Sequence, residues 1–276
     1  MAELRVTNSD CWTHTSVTTG ENYRVTLTLP LFPTTEPVPV LFILDGDTMV
    51  LTATETARSI TVSTMGALGP VAMVGIMADV PLGLDYVAAR FRDFTPVKWT
   101  LHGPFADDNA MASLGTGGAD AFVNTIVEGI LPQVRERVEV DDSRVGICGW
   151  SLSGLCAAYA WRQHPGVFAD LVAITPSLWW NDASMVNEDL AVRPPGHRVV
   201  ITAGEHEEGD LQHVWPQRFA NAPQREMAAM VRNAVAFGEK AVAAGADTLC
   251  AVIPDEHHIT LPAATLARAL VHLYGQ

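Results

Sequence analysis

Seven apolar runs of strand length punctuate this chain, at Tyr23–Leu29, Val38–Leu44, Val71–Ala78, Arg144–Cys148, Leu171–Thr175, Arg198–Thr202 and Thr248–Ile253. Several are apolar almost throughout. Strands of that kind are covered on both faces, as in a mostly parallel sheet. Helical patterns lie between them, around Thr48–Met65, Gly118–Val138, Leu152–His164, Gln224–Ala244 and Pro262–Leu273, and Pro262 suits a first helical turn. Repetition of strand and helix places helices on both faces of the sheet, so the predicted class is α/β with three layers. The 276 residues, 48% of them apolar, are enough to bury a large core. A single domain over residues 1–276 is expected, because α/β folds reach ~250 residues as one unit. The Asp79–Thr116 stretch fits no element. It is long, weakly periodic and rich in Gly, Pro and Asp, and it reads as a loop region covering a substrate.

Charge and composition exclude several classes of function. Against 31 acidic side chains stand 17 basic ones, 15 arginines and two lysines without a run, for a formal net charge of −14. Such a chain repels phosphate backbones, so no nucleic-acid partner is expected. The start, MAELRVTNSDCWTHTS, lacks a basic head followed by an apolar stretch, and no segment approaches the ~20 apolar residues of a spanning helix; neither export nor a membrane is expected. Of Cys11, Cys148, Cys156 and Cys250, three sit in apolar segments and none forms a CxxC pair, which points to a reduced, cytoplasmic protein. No nucleotide-binding glycine motif occurs. The segment His206-Glu-Glu-Gly-Asp210 approaches a zinc H-E-x-x-H motif, but Asp210 replaces the second histidine and Gly209 interrupts the helix, so neither a metal nor a cofactor is expected.

The segment Arg144-Val-Gly-Ile-Cys-Gly-Trp-Ser-Leu-Ser-Gly-Leu-Cys156 runs from an apolar strand straight into a helical pattern. That is the setting of a nucleophile elbow, where the nucleophile has a strained backbone and its neighbours two residues away must be small. Gly149 and Ser153 flank Ser151 at that spacing, a near match to G-x-S-x-G. Ser153 is the rival nucleophile, but bulky Leu155 would then stand two residues beyond it. A serine hydroxyl needs a histidine base, itself oriented by a carboxylate, and in this setting the chain order is Ser, acid, His. Both follow Ser151. Glu205, His206, Glu207 and Glu208 succeed a strand ending at Gly204, and His257 and His258 succeed the last apolar run.

These segments resemble the esterase-D-like branch of the α/β-hydrolases, and within it most closely the trilactone siderophore (enterochelin-type) esterases. The resemblance rests on Val40-Leu-Phe-Ile-Leu-Asp-Gly46, Arg92-Asp-Phe-Thr-Pro96, Gly117-Gly-Ala-Asp-Ala-Phe122 with Leu131-Pro132, Gly149-Trp-Ser-Leu-Ser-Gly154, Thr175-Pro-Ser-Leu-Trp-Trp180, Gly204-Glu-His-Glu207 and the His-rich segment before Pro262. It implies an α/β-hydrolase fold and a cytoplasmic serine ester hydrolase working through an acyl-enzyme. Its substrate would be a small-molecule ester or lactone, with a siderophore trilactone among the options. Carried over by position, Ser151 is the nucleophile. The family segment E-x-H-x-S aligns with Glu256-His257-His258-Ile259-Thr260 and makes His258 the base, while spacing to Pro262 favours His257. Glu207, three residues past Gly204, is the expected acid and Glu205 the alternative. The oxyanion hole would use the amide of Leu152 and that of Gly46 or Asp47.

Substrate contacts are expected from Arg90 and Arg92, which suit an anionic group, and from Trp150, Trp179 and Trp180, which offer flat surface to a ring. The opposing reading pairs an arginine with Asp93 or Asp85 and buries Trp179 and Trp180 in the core. An acyltransferase, a thioesterase and a catalytically silent binding protein on the same scaffold are the alternative functions.

Overall fold

The computed structural model describes residues 6–99, 114–208 and 229–276. Its strands form one eight-stranded sheet in the order β1-β2-β4-β3-β5-β6-β7-β8, comprising β1 Ser9–Thr15, β2 Asn22–Thr28, β3 Val38–Leu44, β4 Ala72–Ala78, β5 Val140–Trp150, β6 Asp170–Ile174, β7 Arg198–Gly204 and β8 Asp247–Ile253. From β4 to β8 every neighbouring pair is parallel, and β1 and β2 add antiparallel pairs at one edge. All seven expected runs are strands. The one without an apolar signature is β1, where only Trp12 and His14 turn partly or wholly inward along an otherwise exposed edge. An edge strand needs one covered face at most, so period-two burial of two residues is all its sequence carries.

Helices cover both faces. On one, α1 (Gly46–Ser63) and α8 (Leu261–Tyr274) pack Met49, Val50, Ala53, Leu266 and Leu270 against Leu41, Ile43, Met73, Val172 and Val200. On the other lie α2 (Leu84–Phe94), α3 (Ala119–Asn124) running through a π-helical Thr125–Ile130 into α4 (Leu131–Arg135), α5 (Leu152–Gln163), α6 (Trp180–Asn187) and α7 (Met230–Ala243). The π-helical turn widens where Gly129 meets β1, and a Cβ there would sit 2.6 Å from His14 Nε2.

The Asp79–Thr116 region corrects the sequence reading. It is not a continuous loop, since Leu84–Phe94 is helix α2. The buried residues of α2 are Ala89, Phe91, Asp93 and Phe94, and a helix only 11 residues long with a carboxylate on its inward face offers few apolar positions by which to be recognised. Residues 100–113 lie outside the described residues, as do 209–228, which hold Asp210 and the first residues of the expected Gln224–Ala244 helix. Cys148 and Cys156 are buried as read, whereas Cys250 lies on the edge strand β8 and is exposed. Among the described residues no helix is long and apolar enough to cross a membrane.

Candidate active site

The parallel strands all end on one side of the sheet, and the turns that follow β3, β5, β6, β7 and β8 bring the polar side chains of the candidate site together there. The sharpest is the passage from β5 to α5, made by Ser151 alone. Its backbone has φ 60° and ψ −120°, a conformation that costs a non-glycine residue about 1–3 kcal/mol. The chain can turn so tightly because Gly149 has no side chain: a Cβ there would fall 2.1 Å from the Ser153 carbonyl oxygen. The elbow is held by hydrogen bonds donated by the Ser151 amide to the Ile174 carbonyl and by the Ser177 amide to the Ser151 carbonyl.

Three side chains from three turns form a hydrogen-bonded line. Ser151 Oγ lies 2.9 Å from His258 Nε2, and His258 Nδ1 lies 2.6 Å from Glu207 Oε1. A carboxylate accepts only, so Nδ1 carries the proton and donates to Glu207, which leaves the Nε2 lone pair to accept the Ser151 hydroxyl. Glu207 is fixed on its other side. Its side chain is 3% exposed, and it accepts the Gly204 amide at 2.7 Å and the Thr175 hydroxyl at 2.5 Å. The serine is half-buried, at the accessible end of the line. This arrangement can deprotonate the serine hydroxyl and stabilise the imidazolium that results.

The alternatives named from sequence fall elsewhere. Glu205 accepts the Asp255 amide at 3.0 Å and stands near His206 and Asp255, not at His258. His257 Nδ1 accepts the Ile259 amide, and its backbone amide donates to the Thr260 hydroxyl, within its own turn. Ser153, the rival nucleophile, is fully buried and bound to Asp45 and Trp150. Leu152 opens α5, and Gly46 and Asp47 open α1; first-turn amides have no acceptor inside their own helix. Because β3 and β5 are parallel neighbours, these two helix starts lie side by side.

The side chains expected to contact substrate have partners within the protein. Arg90 and Arg92 are on α2, and carboxylates occupy both. Arg90 binds Asp45 through Nε at 2.8 Å and Nη2 at 2.9 Å, and its Cζ sits 5.9 Å from the Trp150 ring. Arg92 grips Asp93 in the same two-pronged way at 2.7 and 2.9 Å and reaches Glu21 at 2.8 Å. Trp180 is a core residue, 1% exposed, with ring contacts to Phe91 at 6.0 Å and Trp99 at 5.1 Å. Trp179 is half-buried beside it, 6.1 Å from Trp99. Trp150 donates its indole N–H to the His258 carbonyl at 2.8 Å, and its ring centroid is 5.3 Å from that of His258, so it braces the imidazole.

Residues without an assigned role in the sequence reading are also here. Asp45 and Thr175 each end a strand run inside a motif already singled out, and a polar residue closing an apolar run was the available signal. Ser177 Oγ lies 3.4 Å from Ser151 Oγ. Tyr86 donates to Asp45 at 2.7 Å, and burial together with that carboxylate pushes its phenol up, so it stays a donor.

Comparison with known proteins bears on this geometry. The family model described as "Putative esterase" matches residues 16–248. A siderophore triacetylfusarinine C esterase of Aspergillus fumigatus is 32% identical over 179 residues, covering 62% of this chain and 57% of that protein. A siderophore enterobactin esterase of Emericella nidulans is 32% identical over 152 residues, covering 54% and 49% respectively. The chain thus spans about half the length of these curated relatives. Among solved structures, the BES protein from Bacillus cereus superposes with a TM-score of 0.79 over 100% of this chain and 99% of its own, at 21% identity, and shares the fold.

Proposed function

For a chain that belongs to this esterase family, we propose a serine ester hydrolase working through an acyl-enzyme, its substrate a carboxylic ester or lactone and, by class, a siderophore trilactone. The observation that carries the reading is the line Ser151 Oγ–His258 Nε2–His258 Nδ1–Glu207 Oε1, at 2.9 and 2.6 Å. Similarity to proteins named as siderophore esterases supports the substrate class.

In the proposed cycle Ser151 Oγ attacks the ester carbonyl carbon while its proton passes to His258 Nε2. The carbonyl π pair moves to oxygen, where the amides of Leu152 and of Gly46 or Asp47 receive the developing charge. When the tetrahedral intermediate collapses, the C–O bond to the leaving alcohol breaks and His258 returns the proton to that oxygen. Water then attacks the acyl carbon, giving a proton to His258, and as the bond from that carbon to Ser151 Oγ breaks, His258 returns the proton to Oγ and the carboxylic acid leaves. Glu207 keeps Nδ1 protonated and opposes the charge of the imidazolium throughout.

A fluorophosphonate probe should label purified protein at Ser151, and Ser151→Ala should lower hydrolysis of a trilactone and of a simple aryl ester by more than about 10³-fold without changing the fold. Labelling at Ser153, or activity surviving in Ser151→Ala, would overturn the assignment. Hydrolysis of the aryl ester without any of the trilactone would leave an esterase of another substrate class.

A further inference from the structure

Asp45 is 1% exposed and occupies the position before α1, where an aspartate ordinarily turns back to accept amides of the first turn. Here it makes no such bond. Its backbone has φ 55° and ψ 43°, and its carboxylate points away from α1, accepting Arg90 Nε and Nη2, the Tyr86 hydroxyl and the Ser153 hydroxyl at 2.7 Å. The amides of Gly46 and Asp47 are therefore not consumed by their own capping residue. Ser153 stands two residues after Ser151, where the usual elbow pattern has glycine. Its oxygen accepts the Trp150 amide at 2.8 Å. Its single proton has two acceptors in reach, the Asp45 carboxylate at 2.7 Å and the Trp150 carbonyl at 2.8 Å, and the charged one binds it more strongly. Arg90 Nη2 adds a long contact of 3.5 Å to that same carbonyl.

We propose that Ser153 and Asp45 are positioning residues for the hydrolysis described above: their hydrogen bond braces the Ser151 elbow against the Asp45–Asp47 turn and so fixes the spacing of the two groups of amides that receive the oxyanion. The proposal rests on the serine-esterase reading. Both halves of the hole are starts of separate helices, α5 and α1, and each could shift along its strand independently. The Trp150–Ser153–Asp45 chain of bonds ties one to the other, and Arg90 with Tyr86 holds the carboxylate that anchors it. Ser153 holds Trp150 by its backbone, whereas His258 is held by the Trp150 indole and by Glu207, so the effect of the brace falls on the transition-state charge and not on the base.

The test is Ser153→Ala, which removes the brace with the loss of one buried oxygen, beside Ser153→Thr, which keeps a hydroxyl. For Ser153→Ala, kcat on an aryl ester should fall about tenfold with KM within twofold, and the acid limb of the kcat/KM profile should not move. An aryl boronic acid, which forms a charged tetrahedral adduct on the nucleophile, should bind about tenfold more weakly. A neutral amide analogue of the ester should bind as before. Ser153→Thr should recover part of both losses. Unchanged kcat and boronate affinity in Ser153→Ala, with an active wild-type protein, would overturn the brace and leave the esterase reading standing; an inactive, unlabelled wild-type protein would overturn both. A shifted pH limb or equal weakening of boronate and amide would mean that Ser153 acts on the base or on the fold in general, and the proposal would fail.

Discussion

Asp45 and Glu207 make an instructive pair. Each is a buried carboxylate just past the end of a parallel strand, each accepts a hydroxyl from a neighbouring element, and each holds a nitrogen base at hydrogen-bond distance. They differ in what faces them. Asp45 meets a guanidinium, which is charged at every accessible pH, so its field is balanced once, on folding. Glu207 meets an imidazole, whose charge comes and goes with each proposed proton transfer. One turn is thereby fitted to hold geometry and the other to follow a reaction, although the acids are chemically alike.

The comparison breaks first at Glu207. Glu207→Gln keeps the shape but offers an amide to Nδ1 in place of a carboxylate, and kcat for ester hydrolysis should drop on the order of 10³- to 10⁴-fold, measured under saturating substrate. A loss below tenfold would make the protein a serine–histidine dyad in practice. At Asp45 the larger effect should be on stability. Asp45→Ala leaves Arg90, with a side chain 17% exposed, facing no carboxylate there, and should cost about 3 kcal/mol in urea denaturation, of which Arg90→Met in the double variant should restore a good part. Additive costs would show that the two side chains do not interact.

A second carboxylate–arginine pair, Asp93 with Arg92, sharpens the contrast. Arg92→Ala should change KM for an anionic aromatic ester and for a small neutral ester equally, within about twofold, because Asp93 and Glu21 already occupy the guanidinium. A rise confined to the anionic ester would mean that Arg92 reaches substrate. The smallest effect concerns two buried histidines. Burial lowers His14 and His197, so the unfolded chain binds protons that the folded one refuses. Their contribution is intact above about pH 6.5 and is lost as pH falls below it, by at most about 1.4 kcal/mol per pH unit for each. Thermal unfolding followed between pH 7.5 and 5 should show that decline, and replacing His197 with Gln should reduce its slope.

Several of these features are legible in the sequence alone. Runs such as Val38–Leu44 and Arg198–Thr202 are apolar on both faces, and only a sheet sandwiched between helices buries both, which is why strand positions and class could be read from pattern alone. The Gly149–Gly154 turn was equally readable, since the need for small residues at an elbow is local. Ordering by chain position also picked out Ser151, a glutamate after Gly204 and the His257–His258 pair. What local pattern could not choose was which of adjacent polar residues points inward. His258 meets Ser151 while His257 bonds within its turn, and Glu207 meets His258 while Glu205 ties down Asp255, because an advance of one or two residues around a tight turn redirects a side chain.

The same limit governed the charged residues of α2. In sequence Arg90 and Arg92 are two cations near acids, and they looked available to a substrate; in the fold each is matched by a buried carboxylate, Asp45 from a strand 45 positions earlier and Asp93 next door. Composition sets how many charges a chain has, but which of them neutralise one another depends on which strand ends become neighbours. Sequence by itself determined the layers, the elbow and the short roster of polar groups around it, since these follow from periodicity and steric demand within a few residues. The tertiary structure alone decided the pairings, because a hydrogen bond a few tenths of an ångström either side of 2.7 Å between Ser153 and Asp45, 108 residues apart, is fixed by strand register and not by anything either segment encodes.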